Sequence, residues 1–317
     1  MANNKQKTSM CIYTYSRHED EIDLCRLEMR SFFGCDTETT ILESPLKLDP
    51  NRSPFIKERI DVIYEGESLK EIVTQVEGLK LSKTFKVLFI KHSDGYTSQK
   101  VGFEERRNIE RKVGLRIQGK ADLQNPDVLF GIIKVNERWI FGEYFEGEAV
   151  WFKHQQKPQN YSTALSTRVA RAVVNIAAPN PVGVKVIDPC CGIGTVLIEA
   201  LSMGIDIVGS DLNPLVLPGA RKNIAFFGYD TEVTLRDIRF VEGKYDVAII
   251  DMPYNLCSVL DEKEQLEMLQ SARNFARKVV VLTIEEIDSL ITKARFDIVD
   301  RCVAKKGTFM RQVIVCQ

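Results

Sequence analysis

Carboxylates follow four separate apolar runs in the second half of the chain, and each stands where such a run ends. Asp188 follows VKVI, Asp211 follows IVGS, Asp237 follows VTLR and Asp251 follows YDVAII. Short apolar runs that alternate with helix-like segments predict a doubly wound α/β sheet, in which ligands bind at the carboxyl ends of the strands. We therefore expect these acids to lie along one edge of the sheet.

A glycine-containing turn, DPCCGIGT, begins at the first of these strand ends and runs from Asp188 to Thr195. Gly192 and Gly194 allow a tight turn and close approach of the backbone to a ligand, although an ordinary strand–helix turn has the same composition. A dinucleotide fingerprint would have a third glycine where Leu197 stands, and an acid at Asp188 would not help to bind a pyrophosphate. S-adenosylmethionine is cationic and carries no phosphate, so the charge favours it over NAD.

Two further acids suit the nucleoside part of such a cofactor. Asp211 can accept hydrogen bonds from both ribose hydroxyls, and Asp237 can accept one from the adenine amine. The alternative for each acid is a structural role as a cap or an Asx turn, since Asn213 and Pro214 closely follow Asp211. Three acids at successive strand ends beside one glycine turn favour a binding site over three separate caps.

The fourth strand end, Asp251-Met252-Pro253-Tyr254, suits methyl transfer to an exocyclic amine on a planar ring. The lone pair of such a nitrogen is delocalised into the ring. Hydrogen bonds from its N–H groups to the Asp251 carboxylate and the Met252 carbonyl would favour pyramidal geometry. Pro253 would fix the turn, and Tyr254 would stack on the target base. The alternative is a plain strand-end turn with a buried tyrosine.

Strands and helices must position these residues, and the two halves of the chain differ in pattern. The first half predicts an α+β arrangement with strands at 11–15, 55–64, 85–90, 128–135 and 139–145, and helices at 20–33, 68–77 and 103–113. A polar segment at 151–163 is expected to be a linker. The second half predicts helices at 165–178, 195–203 and 217–227, strands at 184–187, 207–209, 233–235, 245–250 and 278–282, and an antiparallel pair at 296–304 and 309–315.

Composition and charge limit the class of protein. The chain has 317 residues, of which 44% are hydrophobic, and a formal net charge of −1. These values exclude collagen-like, disordered, coiled-coil and wholly basic packaging proteins. The charge is uneven, since residues 80–120 have a net charge of +7 and residues 188–317 one of −4. The basic segment is either a solvated face or a strip that contacts phosphates.

The cysteines and the start of the chain bear on metal binding and location. The chain has eight cysteines, no C-x-x-C pair and three histidines. This spacing predicts no metal site. The sequence MANNKQKTSM lacks an apolar secretory region, and no apolar run is long enough to span a membrane. A cytoplasmic protein with reduced thiols and no membrane contact is therefore expected.

The motifs DPCCGIGT, SDLN, LRDI and DMPY, in this order and spacing, resemble class I S-adenosylmethionine-dependent amino-methyltransferases. Residues 157–175, KPQNYSTALSTRVARAVVN, are similar to the segment before the sheet in THUMP-domain tRNA guanine-N2 methyltransferases. Residues 119–131, GKADLQNPDVLFG, are similar to the THUMP signature. The family usually has Phe at position 190 and Pro at position 252, where this chain has Cys190 and Met252.

The resemblance implies a ferredoxin-like domain at 1–80, a THUMP-like RNA-binding domain at 81–150, the linker at 151–163 and a Rossmann-like methyltransferase domain at 164–317. It implies methyl transfer from S-adenosylmethionine to the exocyclic N2 amine of a guanosine in tRNA. tRNA is then the expected partner, and the need for a small activating protein subunit is left open.

The site residues carried over by motif position or by charge fall into three groups. The catalytic group is Asp251, Pro253 and Tyr254. The cofactor-binding group is Asp188, Cys191, Gly192, Gly194, Thr195, Asp211 and Asp237. The basic strip supplies the RNA-binding group, which is Lys100, Arg106, Arg107, Arg111, Lys112 and Arg116.

Other functions remain open at the level of the sequence. The same site chemistry fits guanine N2 of rRNA, an amino group of a DNA base, or a protein glutamine amide. A DNA enzyme would usually have a larger target-reading domain, and a glutamine enzyme would usually have N-P-P-Y. A non-catalytic RNA-binding protein with an inactive site is favoured by Met252 alone, whereas the intact Asp251 and Tyr254 argue against it.

Overall fold

The computed structural model describes residues 9–36, 38–91, 101–161, 164–255, 258–259, 261–307 and 309–317, with residues 254, 255, 258 and 259 described by their backbone. The chain divides into two compact units. Unit 1 comprises residues 1–16, 37–51 and 55–148, and unit 2 comprises residues 17–36, 52–54 and 149–317.

The described ranges contain helices and strands with the following bounds. The helices are α1 Ile22–Phe33, α2 Leu69–Gln75, α3 Phe103–Gly114, α4 Val150–Lys153, α5 Thr167–Ala177, α6 Thr195–Ser202, α7 Leu217–Phe226, α8 Glu262–Phe275 and α9 Asp288–Lys293. The strands are β1 Cys11–Tyr15, β2 Ile41–Ser44, β3 Ile56–Gly66, β4 Phe85–Phe89, β5 Val128–Val135, β6 Arg138–Glu146, β7 Lys185–Asp188, β8 Asp206–Asp211, β9 Val233–Leu235, β10 Tyr245–Asp251, β11 Tyr254–Asn255, β12 Ser258–Val259, β13 Ala276–Thr283, β14 Ile298–Lys306 and β15 Phe309–Cys316.

Unit 1 is built on one six-stranded sheet in the order β2–β1–β3–β6–β5–β4. Neighbouring strands are antiparallel, except that β4 and β5 are parallel. Alternating side chains of β5 point to opposite faces, so Ile132 packs with α2 and α3 while Ile133 packs with β1. The antiparallel α+β arrangement expected for this half is confirmed.

The boundary expected at residue 80 is corrected by this sheet. β3 pairs with β6 from Glu58 opposite Glu146 to Gly66 opposite Trp139. These hydrogen bonds join the two segments that were expected to be separate domains. Unit 1 is therefore one compact unit with one sheet, because strand pairing between residues far apart in sequence joins the two segments that the family resemblance had separated.

Unit 2 contains a seven-stranded sheet in the order β14–β15–β13–β10–β7–β8–β9. The central strands are parallel, and β15 runs antiparallel to β13 and β14. β10 and β13 are apolar throughout their centres, and Ile249, Ile250, Val280 and Val281 are fully buried. The predicted α/β fold is confirmed. The strand order reverses between β7 and β10, and such a switch point is where this kind of sheet binds ligands.

The helix α1 belongs to unit 2, although it lies near the start of the chain. It packs on α5 and β14, and Arg30 donates two hydrogen bonds of 2.9 Å to Asp300. The fully buried Glu28 accepts hydrogen bonds from Ser53 and Asn175. The expected domain at 1–80 is therefore divided between the two units, because its helix finds its polar and apolar partners in unit 2.

The expected linker at 151–163 is also corrected over its described part. It begins within α4, and the His154 ring nitrogen Nδ1 lies 2.8 Å from the buried Glu199 carboxylate. The backbone of Gln159 exchanges hydrogen bonds with the Asn223 side chain. The segment therefore packs on the rest of unit 2 at His154 and Gln159, while Gln155, Gln156 and Asn160 are exposed. In the described ranges, no helix is both apolar enough and long enough to cross a membrane.

Candidate functional site

A cavity of about 510 Å³ lies in unit 2 where β7, β8 and β10 end. It contains the four acids that the sequence places at strand ends, together with most of the predicted glycine turn. The predicted site residues that line it are Asp188, Cys191, Gly192, Thr195, Asp211, Asp237, Asp251 and Pro253. The structure thus brings residues from four strand ends into one site.

The turn after β7 is held in place by backbone hydrogen bonds and by Asp211. The Gly192 N–H donates to Asp211 Oδ2 at 2.8 Å, and the Cys191 N–H donates to the Ser210 carbonyl at 2.9 Å. Gly192 and Gly194 have φ angles of +52° and +80°, a conformation that favours glycine. Gly194 is not among the lining residues, and its position is the N-cap of α6. Its structural role is to start that helix.

Thr195 supplies a polar atom in the cavity wall that can take a further hydrogen-bond partner. The residue lines the cavity, is 5% exposed, and its Oγ1 atom has no hydrogen-bond partner among the described residues. Buried polar atoms in proteins are nearly always hydrogen-bonded, so this hydroxyl points to a partner supplied by a ligand or a water molecule. The observation fits a small cofactor with polar groups at the start of α6.

Asp188 shows which charge that ligand should carry. The residue is 3% exposed, and its Oδ1 accepts a hydrogen bond of 3.1 Å from the Cys190 N–H. Burial raises the pKa of its carboxyl well above the ordinary value, and the nearby carboxylates of Asp251 and Asp211 raise it further. A cation in the cavity would relieve this repulsion and favour the ionised form. The site therefore fits the cationic S-adenosylmethionine better than an anionic dinucleotide.

Asp211 and Asp237 combine a structural role with a place in the cavity wall. Asp211 Oδ1 accepts from the Asn213 N–H at 2.8 Å, which is the Asx turn of the alternative interpretation. Asp237 caps a short helix at 238–240 through the Arg239 N–H, and its carboxylate also contacts the Arg239 guanidinium at 2.6 Å. Hydrogen bonding from that guanidinium lowers the pKa of the Asp237 carboxyl. Arg239 also lines the cavity and is a site residue that sequence reasoning missed.

Asp251 ends β10 and forms an ion pair with Arg311. The Arg311 Nη1 atom lies 3.0 Å from Oδ1 and 2.9 Å from Oδ2 of Asp251. Burial raises the pKa of the Asp251 carboxyl to about 6, and the Arg311 charge and hydrogen bonds act against that rise. The carboxyl is therefore mostly ionised at neutral pH and can accept hydrogen bonds from a ligand in the cavity.

The residues after Asp251 shape the floor and rim of the cavity. Met252 is 5% exposed, packs in the main apolar cluster of unit 2, and donates its N–H to the Leu282 carbonyl at 2.9 Å. An apolar side chain therefore suits this position. Pro253 is exposed and lines the cavity. The backbone of Tyr254 is in β11, and its side chain lies outside the described residues.

Sequence reasoning missed several cavity residues because their positions depend on distant contacts. Glu264 and Met268 come from α8, and Tyr161 and Leu165 come from the segment that precedes α5. Arg311 was also missed, although its position in the sequence indicates that it needs a partner. It is a single charge at the start of the apolar stretch QVIVC, where a strand buried on both faces would not carry a cation without a partner.

The predicted RNA-binding residues that the structure describes lie in unit 1, on and after α3. Ile109 and Val113 bury one face of this helix, and the opposite side carries exposed charges. Arg107 makes an ion pair with Glu110 at 3.3 Å, and Arg116 makes one with Glu77 at 2.9 Å. Lys100 lies outside the described residues. The members on α3 are Arg106, Arg107, Arg111 and Lys112, with Arg116 two residues beyond it.

Comparison with known proteins defines the class. Residues 154–284 match the UPF0020 family, described as an RMKL-like methyltransferase domain. The protein is an S-adenosylmethionine-dependent methyltransferase of class I.

The relatives narrow this class to a family. The chain is 30% identical over 234 residues to the tRNA (guanine(10)-N2)-dimethyltransferase of Methanothermobacter thermautotrophicus, covering 67% of this chain and 69% of the relative. It is 26% identical to the enzyme of the same name from Pyrococcus abyssi, covering 65% and 66%. It is 26% identical to human U6 snRNA (guanine-N(2))-methyltransferase THUMPD2, covering 63% and 40%. The chain belongs to the family of RNA guanine-N2 methyltransferases.

A solved structure with similar length is that of TrmN from Thermus thermophilus. It is 17% identical, with a TM-score of 0.48, and the match covers 97% of this chain and 99% of that chain.

Proposed function

We propose that this chain transfers a methyl group from S-adenosylmethionine to the exocyclic N2 amine of a guanosine in tRNA. The observation that carries the proposal is Asp251, a carboxyl that contacts Arg311 at the end of β10, in the same cavity as the buried Asp188. One carboxylate suits a cationic cofactor and the other suits an amine. Relatives of the chain are named for this reaction on tRNA, which supports the choice of substrate.

The residues that would hold the cofactor follow from the cavity wall. Asp188, Gly192 and Thr195 would bind the methionine part, where a buried acid and an unsatisfied hydroxyl meet the start of α6. Asp211 would accept from the ribose hydroxyls, and Asp237 lies at the strand end expected for the adenine. S-adenosylmethionine, when bound, supplies a methyl group on a sulfonium sulfur, which makes that carbon electrophilic.

The target amine would be held by the residues that follow β10. In the overall reaction the N2–CH₃ bond would form as the S–CH₃ bond breaks, which leaves S-adenosylhomocysteine as the neutral thioether. The methylated nitrogen would then lose one N–H proton to water. Asp251 accepts from that N–H, which turns the nitrogen lone pair towards the methyl carbon, and Pro253 fixes the turn. Tyr254 is proposed to stack on the guanine. Catalysis then depends on position and on one ionised carboxylate.

Unit 1 is proposed to bind the RNA through the exposed basic side of α3. Guanine N2 is engaged in base pairing in duplex RNA, so the target base must leave the stack before it reaches a cavity of this size. Exposed arginines that contact phosphates would hold the RNA during this step. The sequence GKADLQNPDVLFG at 119–131 supports a THUMP-like module here.

The test is methylation of tRNA by the purified chain with isotopically labelled S-adenosylmethionine, followed by nucleoside mass spectrometry. We expect labelled N2-methylguanosine or its dimethyl form. Label in U6 snRNA, rRNA, DNA or protein but not in tRNA would contradict the substrate. Failure to bind S-adenosylmethionine in calorimetry would instead favour the non-catalytic RNA-binding protein. Activity that requires an added cell fraction would identify an activating subunit.

A cytoplasmic location is part of the proposal. The seven cysteines in the described ranges are free thiols, as expected in a reducing compartment. Tagged protein visualised in the source cells, together with fractionation, tests this location.

A further inference from the structure

The beginning of β15 lies at the edge of the sheet where the parallel strands end, because β15 runs antiparallel to its neighbours. Val313 pairs with Leu282 of β13, and Leu282 pairs with Asp251 of β10. Arg311 comes two residues before Val313 and shares its face of the strand. Its side chain therefore passes the end of β13 and reaches Asp251, two strands away.

The contact between Arg311 and Asp251 is shielded from solvent. The Arg311 side chain is 7% exposed and that of Asp251 is 23% exposed. The ion pair between Arg301 and Asp288 in the same unit is 40% exposed on both sides. One Arg311 nitrogen lies within 3.0 Å of both carboxylate oxygens. A carboxylate has about four acceptor positions, so this contact leaves others for the cavity.

From this geometry we infer that Arg311 is a positioning residue, which keeps the Asp251 carboxylate ionised and oriented towards the target amine. The inference rests on the proposed function, in which Asp251 accepts a hydrogen bond from that amine.

The chemistry of the amine explains why such a residue is needed. An amine N–H requires an acceptor, and a protonated Asp251 would present an O–H donor on one of its oxygens. Burial alone favours the protonated form, and a nearby guanidinium favours the ionised form. With both effects present, the pKa of the Asp251 carboxyl is about 6. Arg311 is the cation that opposes protonation of Asp251, and the Asp188 carboxyl and the Cys190 thiol are the titratable groups near it in the cavity.

The first experiment measures Asp251 directly and needs no RNA. The protein is labelled with ¹³C at the aspartate carboxyl carbons, and the Asp251 signal is identified by its loss in Asp251→Asn. We expect the midpoint of its titration to rise by roughly one to three pH units in Arg311→Met and to stay near the wild-type value in Arg311→Lys. Arg301→Met is the matched control, and its Asp251 midpoint should equal that of the wild type.

The second experiment follows kcat for tRNA methylation between pH 6 and pH 9. If the Asp251 midpoint moves from about 6 to about 8, kcat at pH 7 should fall about tenfold in Arg311→Met and recover as the pH rises. At pH 9, where Asp251 is ionised in both proteins, the KM for S-adenosylmethionine should stay within about threefold of wild type, because the charge beside Asp188 is then unchanged. A residue with a merely structural role would lower kcat equally at every pH.

An unchanged Asp251 midpoint in Arg311→Met would overturn the inference. So would a pH profile of kcat parallel to that of the wild type. A raised midpoint in a protein whose wild type methylates no RNA would leave the control of Asp251 by Arg311 standing and would contradict the proposed function instead. If Arg311→Met does not fold, Arg311→Gln keeps a polar side chain of similar length and gives the same comparison.

Discussion

Asp188 in unit 2 is 3% exposed, whereas the Arg107 side chain in unit 1 is 58% exposed. Both are candidate binding residues, but the charge of Asp188 is buried and that of Arg107 is exposed to solvent. Burial makes the charge of Asp188 costly, so a specific cation must compensate it. The charges on α3 are solvated, so they attract phosphates collectively and are screened by salt. The difference predicts large, specific effects in unit 2 and smaller, salt-dependent effects in unit 1.

The largest effect is expected from Asp251→Ala. Loss of the acceptor for the target amine should lower kcat for tRNA methylation about 10³-fold, as for other groups that stabilise a transition state. The Kd of S-adenosylmethionine, measured by calorimetry, should change less than about threefold. The matched control is Asp206→Ala, an exposed acid at the opposite end of β8. A rate close to that of the control would contradict the role given to Asp251.

The second prediction is that one substitution, Asp188→Asn, weakens cofactor binding while it stabilises the fold. Asp188→Asn should weaken S-adenosylmethionine binding about 10- to 100-fold, because a charge-assisted contact is lost. The folded-state pKa of Asp188 is raised above its unfolded value, so this group lowers stability as the pH rises above about 4. The neutral amide removes that loss, and the melting temperature at pH 7 should rise.

The control for this change is Asp206→Asn, which should alter neither the affinity nor the melting temperature. A lower melting temperature in Asp188→Asn, together with unchanged affinity, would show that Asp188 is a structural acid.

A smaller effect is expected when the charges of unit 1 are removed. Changing Arg106, Arg107 and Arg111 together to alanine should weaken tRNA binding about tenfold at moderate salt. The slope of log K against log salt should become shallower by about two, since each phosphate contact contributes about 0.7 to 0.9. Binding measured by fluorescence anisotropy at several salt concentrations checks both values.

Three exposed lysines of unit 2 provide the comparison for this triple variant: Lys222, Lys293 and Lys305. Their change to alanine removes the same formal charge. If the slope of log K against log salt is equal in the two triple variants, the charges on α3 do not contact phosphates and form only a solvated face.

The last prediction concerns the stability of unit 2 alone, through a buried charge outside the cavity. Burial raises the pKa of Glu28 to about 7, while its hydrogen bonds with Ser53 and Asn175 act against that rise. Its folded-state pKa exceeds the unfolded value, so stability falls as the pH rises from about 4.5 to 7. Glu28→Gln should therefore raise the free energy of unfolding at pH 8 by about 1–3 kcal/mol and have little effect below pH 4.5.

Denaturant unfolding at pH 4.5 and pH 8 measures this difference, with the exposed Glu286→Gln as control. A loss of stability at pH 8 would mean that the ionised carboxylate of Glu28 stabilises unit 2.

The sequence by itself determined most of the helices and strands and the chemistry of the strand ends, although β2, α8 and α9 were not predicted. The strands at 128–135 and 233–235 have the predicted bounds, and α3 at 103–114 differs from its predicted range by one residue. Apolar periodicity is local, so it can be read along the chain. The carboxyl ends of parallel strands share an edge, and so the grouping of Asp188, Asp211 and Asp251 could be predicted before any distance was known. The roles of all the predicted site residues, Tyr254 and Lys100 included, stay predictions.

Only the tertiary structure decided which distant polar groups meet. It placed α1 in unit 2, packed the described part of 151–163 against Glu199 and Asn223, and formed the helix α8 that completes the cavity wall. It also brought Arg311 to Asp251 across 60 residues of sequence. In the sequence, a polar residue that will be buried cannot be told from one that will be exposed. Its hydrogen-bond partner is therefore known only once the sheet has been assembled.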